Sequence, residues 1–492
     1  MTLKGLAYRR INRLRWTPAG IRPALAVLLC LGALAGAPAI AASPDSGLDS
    51  GLDSGPDSGP DSGSDSSPDS GSQHSTWQLA CDWSFAASPG HVPGPDDTRN
   101  VLADQAAGYW QAPFSSLYLP GTEFKLKGQF PASRNMSIQV TNSLIGFLNT
   151  IGAITDYQIA PDPGSQNPFT AVNIVDPSIA AGGDYTVIIH YGKAPADPKP
   201  NTIYLDPKQF VWTGAMIIVY RIYAPVDGSL ADHGGVPLPA LYLVTDHGDV
   251  PISEFKTPAQ CAFWTAAEAV VVQGEAAIGN VPLQIPLAPR PIPAQPVPRA
   301  PVFKLWGGTD VLGQLKIAQW VVNADNSYVY TYLNQRAGDL VLVRAKAPSY
   351  ATEAGITDPQ VRYWSLCESS IPFLSTYQCV KDQDFATDAN GYFTAVISIP
   401  KKRPANADAA HGYNWLEFGP AEPASPIFRY LSPSPNFAEA PSNFDPKKYD
   451  SLAQLMGDYY PLATYCAKSV FDAHTNAGET PAQVFAACQA GE

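Results

Sequence analysis

The sequence predicts a mainly β protein: two tandem antiparallel β-sandwich domains of jelly-roll type with a small helical cap at the C-terminus. Three observations predict it. The 492 residues are 11% aromatic and only 15% charged, and 48 Pro with 39 Gly interrupt the chain too often for long helices. Short apolar or alternating runs recur between Gly, Pro and Asn, as sandwich strands do. The order of those runs also repeats.

The repeat is read block by block. Residues 121–131 match 338–348, 134–137 match 362–365, and 183–189 match 391–397. Residues 201–205 match 414–418, and 220–225 match 428–433. The offset drifts between blocks by loop-sized amounts while the order is kept, which points to an internal duplication. Strands are expected over 123–129, 137–141, 185–191, 215–223 and 238–245 in the first copy. In the second they are expected over 317–322, 328–333, 340–345, 361–368, 393–399 and 427–431. Glu123-Phe124-Lys125-Leu126-Lys127 alternates with period two, the mark of a strand buried on one face. A short helix is expected over 97–103, and Thr257-Pro258 caps another that runs to about residue 270. The tail, 449–489, reads as helical, with Thr480-Pro481 opening its last helix.

Ahead of the first copy, Lys4, Arg9, Arg10, Arg13, Arg15 and Arg22 precede an apolar run and the small-x-small signature Ala39-Ile40-Ala41. This is the pattern of a secretory signal peptide over residues 1–42, and the apolar run is too short for a membrane span. Loss of those six charges takes the formal charge from −13 to −19. Such an acidic surface argues against nucleic acid as a partner. Residues 43–75 hold Asp45, Asp49, Asp53, Asp57, Asp61, Asp65 and Asp69 among Ser, Gly and Pro, a disordered spacer by composition. Domains are therefore expected at 76–275 and 303–445, joined by a Pro-rich linker over 276–302 and followed by a cap over 446–492.

Six cysteines remain after the leader, an even number in an oxidising compartment, so three disulfides are expected. Chain proximity suggests Cys367–Cys379 and Cys466–Cys488, leaving Cys81–Cys261. The spacing does not suit a zinc site.

At the second copy a family resemblance appears. Arg362-Tyr363-Trp364-Ser365-Leu366-Cys367, then Asn414-Trp415-Leu416, then Phe428-Arg429-Tyr430 with Pro433, resembles the bacterial domain of unknown function twelve-fourteen. The resemblance implies a jelly-roll sandwich and brings no settled activity. It covers roughly the second copy, and reaches the first only through the repeat.

Chemistry is harder to find. There is no Gly-x-Ser-x-Gly elbow, no His pair at metal spacing and no phosphate loop. Arg221 and Arg429, flanked by aromatics on strands, are candidate ligand-binding residues, because a guanidinium grips carboxylates or stacks on rings. Tyr363, Trp364 and Trp415 are candidates for stacking on a sugar. Asp382, Asp384, Asp388 and Asn390 form the one oxygen-rich loop that calcium would suit, and no other cofactor is expected. These features favour an exported, non-catalytic binding or envelope-associated protein with a small molecule or glycan as partner. A hydrolase using Asp382, Asp384 and Arg429 in a groove between the domains is the first alternative. A structural surface protein is the second.

Overall fold

A computed structural model of the protein describes residues 83–87, 103–115, 121–142, 149–209, 215–226, 233–252, 300–305, 323–370, 375–419 and 424–491. The expected leader, spacer, nearly all of the Pro-rich linker, the helix at 257–270, the strand at 317–322 and the Cys81–Cys261 bridge lie outside these residues, as does most of the helix at 97–103.

The first copy builds two sheets. One is ordered β1 (Ser84–Ala87), β2 (Ala107–Ser115), β8 (Ala215–Pro225), β4 (Ser133–Asn142), β5 (Asn149–Thr155). The other is ordered β10 (Gly248–Pro251), β9 (Ala240–Thr245), β3 (Glu123–Gln129), β6 (Asp184–Tyr191), β7 (Thr202–Leu205). The second copy follows the same plan. Its first sheet runs β11 (Lys304–Leu305), β12 (Asn326–Tyr330), β18 (Ala424–Pro433), β14 (Val361–Ser370), β15 (Ser375–Lys381). Its second runs β17 (Asn414–Glu417), β16 (Tyr392–Ser398), β13 (Leu340–Lys346), β19 (Leu462–Cys466). Each matched sequence block lies on strands that hold the same place in the two plans.

Among the described strands pairing is antiparallel except at one edge of each copy, where β6 meets β7 and β16 meets β17 in parallel. A parallel partner needs a crossover, and loops at 192–201 and 399–413 supply it.

Alternation decides what each sheet covers. In β6 every second residue is buried, and Phe124 and Leu126 of β3 point inward with Met136, Ile138 and Val140 of β4. Lys125 and Lys127 face outward and meet Asp249 of β10. The equivalent strand in the second copy, β13, is buried on both faces. Its outer residues Leu340 and Leu342 lie, with Val396, beneath Phe471, Val484 and Phe485 of the terminal helices α2 (Lys468–Asn476) and α3 (Pro481–Ala490). The unbroken apolar run of β13 is thus the imprint of the helical cap. At roughly 1.5–3 kcal/mol per fully buried large side chain, that second layer adds substantially to this sheet.

The tail departs from the expected all-helical reading. After a short helix α1 (Leu452–Met456), residues 462–466 form β19 and pair with β13. The segment Leu-Ala-Thr-Tyr-Cys covers an edge of β13 that would otherwise be unpaired, as β9 does for β3. Thr480 caps α3 by accepting from the Gln483 backbone, with Pro481 in the first turn.

Two of the three expected disulfides are present. Cys367 and Cys379 face each other directly across β14 and β15, and Cys466–Cys488 ties β19 to α3. Such bridges belong to an oxidising compartment. Among the described residues no helix is long and apolar enough to cross a membrane. Replacing Cys466 and Cys488 together by Ala is expected to lower stability by about 3 kcal/mol, the closure entropy of a loop of this size. Urea unfolding followed by the helical signal checks it; an unchanged midpoint would show that the cap holds without its tether.

Candidate functional site at the junction of the sandwiches

Four of the residues that the sequence singles out, Arg221, Arg429, Tyr363 and Asp382, converge where the sheets containing β8 and β18 meet. Three adjacent strands in each copy present the same row. Tyr109 of β2, Arg221 of β8 and Ser137 of β4 are direct cross-strand neighbours. Tyr328 of β12, Arg429 of β18 and Ser365 of β14 repeat that row. Each guanidinium lies 5.8–5.9 Å from its tyrosine ring. Both arginines are almost fully buried.

Each copy then sends one arginine into the other. Arg134, at the start of β4, donates to both carboxylate oxygens of Asp382, at 2.5 and 2.6 Å. Arg362, at the matching place in β14, donates to Asp156 at 2.5 Å. Asp156 and Asp382 each open a single 3-10 turn directly after β5 and β15. The pairing is therefore reciprocal, arginine to aspartate in both directions, and all four side chains are at most 3% exposed.

The acids are well held. Asp156 also accepts from the backbone N–H groups of Met136 and Tyr157, and Asp382 from those of Trp364 and Gln383. Burial nevertheless outweighs the guanidiniums. It pushes Asp156 up to about 6 and raises Asp382 in the same direction.

A second set of hydrogen bonds also crosses the junction and is not reciprocal. Asp104 accepts from the Tyr363 hydroxyl at 2.9 and 3.0 Å and from Ser365 Oγ at 2.5 Å. Its carboxylate lies within 4.8 Å of both sulfurs of the Cys367–Cys379 bridge. Gln105, the next residue, joins the Cys379 N–H and the Tyr377 carbonyl. In the other direction Thr155 donates to Asp325, and Asn326 donates to the Tyr223 hydroxyl. Among the described residues the shared apolar contact is small: Ala107, Tyr223 and Ala224, with Ala106 and Tyr109 beside them, against Tyr363 and Leu431.

The structure separates the remaining candidates. Tyr363 faces the junction, while Trp364, one residue on, stacks on Phe385 inside the second sandwich. Both are buried, so neither offers a platform. Trp415 lies on the outer side of its sheet, half-buried, with Arg403 4.3 Å from its ring and its N–H on Ser398 Oγ. The oxygen-rich loop does not converge. Asp382 turns to Arg134, Asp384 is exposed beside Lys381, and Asp388 pairs with Arg344 while accepting from the N–H groups of Asn390 and Tyr392. The run from Asp388 to Gly391 is a hairpin turn, with Gly391 at φ +78°. Asp382 and Asp384 thus do not meet Arg429, whose partner in the row is Tyr328.

Sequence reasoning missed Asp104, Asp156 and Glu368. The signal for Asp156 was present, since it stands behind β5 as Asp382 stands behind β15. Glu368 had none. It follows Trp364 and Leu366 on the inward face of β14, is 0% exposed, and finds no hydrogen-bond partner among the described residues. The matching residue of β4 is Val140. Burial alone raises the Glu368 carboxyl well above its ordinary value.

No family model matches the chain, and no curated protein does. Among solved structures, an uncharacterised protein from Burkholderia cenocepacia is 12% identical, over 74% of this chain and 84% of that one, with a TM-score of 0.39. Procruciferin, the 11S globulin of Brassica napus, is 11% identical over 67% of this chain and 78% of that one, with a TM-score of 0.14.

Two outcomes are expected. Arg134→Met alone leaves Asp382 buried without its cation and should cost about 3–5 kcal/mol, whereas adding Asp382→Leu should recover much of it. Urea unfolding decides, and equal losses in the single and double variants would mean that the pair is not coupled. Glu368→Val should stabilise the protein by about 1–3 kcal/mol at neutral pH by removing an unsatisfied buried group. Because the folded state holds the Glu368 proton more tightly, its contribution is complete below about pH 4.5 and is lost as pH rises. The variant should therefore show a shallower fall in stability above that pH; an unchanged slope would assign the titration elsewhere.

Proposed function

We propose that the protein is an exported, non-catalytic binding or envelope-associated protein, built from two copies of one sandwich module. The observation that carries this reading is the inward commitment of its reactive side chains. Arg134, Arg362, Asp156, Asp382, Asp104 and Ser365 are buried and bonded in pairs across the junction, where they lock the modules together. Catalysis needs such groups aimed at space that a substrate can enter.

Export is part of the proposal. It rests on the basic start, the apolar run and the Ala39-Ile40-Ala41 signature, and the disulfides of the second copy are in keeping with it. In this reading residues 1–42 are the leader, 43–75 a spacer, 76–275 and 303–445 the modules, and 276–302 their linker. The likeness to the twelve-fourteen domain belongs here too, since its blocks fall on β14, β17 and β18.

The proposed ligand is a glycan, and the residue proposed to meet it is Trp415. Of the five candidates for ligand contact it alone is not buried, and Arg403 beside its ring provides donors at the same place. Thermal unfolding of the oxidised protein across a panel of soluble glycans tests this, since a ligand of the folded state raises the midpoint with concentration. A rise of several degrees that disappears in Trp415→Ala is expected. A flat response across the panel would overturn glycan binding and leave a structural role.

A further inference from the structure

The junction has the form of an interface between like subunits. In such an isologous contact residue i of one partner meets j of the other, and j meets i. Here Arg134 meets Asp382 and Arg362 meets Asp156, with arginines and aspartates at matching places in the two plans. We propose that each sandwich can dock on the complementary sandwich of a second copy of this chain, so that two chains exchange modules and close into a dimer.

Three features support it. First, the cores are separate. One cluster draws only on residues 83–241 and the other only on residues 303–463, and the mixed cluster is small. Parting the modules therefore opens polar pairs and little apolar surface. Second, the sequence between the modules includes the Pro-rich linker expected over residues 276–302, long enough by composition and length to act as a tether. A long tether lowers the effective concentration of the partner in the same chain and lets a neighbouring chain compete. Third, the symmetry is broken in a way that fixes who meets whom. Asp104 receives Tyr363 and Ser365, whereas Asn323 stands at the place of Asp104 in the second copy, and Asn135 at the place of Tyr363 in the first. First-to-second docking keeps this network, and docking of like copies loses it.

Charge inversion tests the exchange in the full chain. One variant carries Arg134→Asp with Asp156→Arg, and the other carries Arg362→Asp with Asp382→Arg. Within either chain the inverted side chains face like charges. Between the two chains every pair is restored, for both module contacts. Co-expressed with different tags, the two variants are expected to copurify one to one at twice the chain mass. A third variant carrying all four substitutions in one chain restores every pair as the wild type has it, and should unfold near the wild-type midpoint and associate as the wild type does. Failure of the first two to associate while the third folds would overturn the proposal. Should the third not fold, wild-type chains refolded over a hundredfold range of concentration decide. A dimer fraction that grows with concentration supports exchange, and monomer at every concentration overturns it.

Discussion

Two buried ion pairs, set in opposite directions, are the constraint on which the arrangement of this protein depends. Each sandwich completes its own core from its own strands, so apolar burial does not say which faces should meet. Buried ionic pairs add little net stability over apolar residues of like size, because removing the charges from water offsets most of their attraction. Their effect is discrimination. A slip or rotation at the junction would leave Arg134, Arg362, Asp156 and Asp382 buried without partners, which is far worse than losing an apolar contact.

That constraint also accounts for the burial of the candidates that converge, among the described residues. The same residue types that could grip a ligand are used up on each other. The contrast between Tyr363 and Trp364 shows how narrow the margin is. Adjacent residues on one strand point to opposite faces, so one hydroxyl reaches Asp104 in the other module while the next ring packs on Phe385.

Much of the fold was legible, for identifiable reasons. The repeat blocks marked strands because each carries both an apolar period and a turn residue. The expected 123–129 strand is β3 to the residue, and two disulfides follow from proximity along the chain. Other elements lacked a local signal. β5 contains Gly152, a poor strand former, yet a Cβ there would come within 2.4 Å of Ile203, so packing against β7 demands what propensity opposes. β19 was hidden in a helical context and is made by the free edge of β13. At the site, Arg221 and Arg429 were visible as a matched pair, but no sequence pattern says that the partner of Asp382 lies some 250 residues away in the other module. Long-range ion pairs have no period and no spacing.

The strand orders have a kinetic consequence. β8 lies at the centre of its sheet, between β2 and β4, and β18 lies between β12 and β14, although each is nearly the last strand of its copy to be synthesised. Until residue 215 has emerged, β2 and β4 have no neighbour to bridge them, and the second copy waits likewise for residue 424. Closing these sheets means closing long loops, which slows folding. Each module of a growing chain therefore stays open until nearly all of its own strands have been made, so the order of synthesis and the order of sheet closure are set apart within each copy.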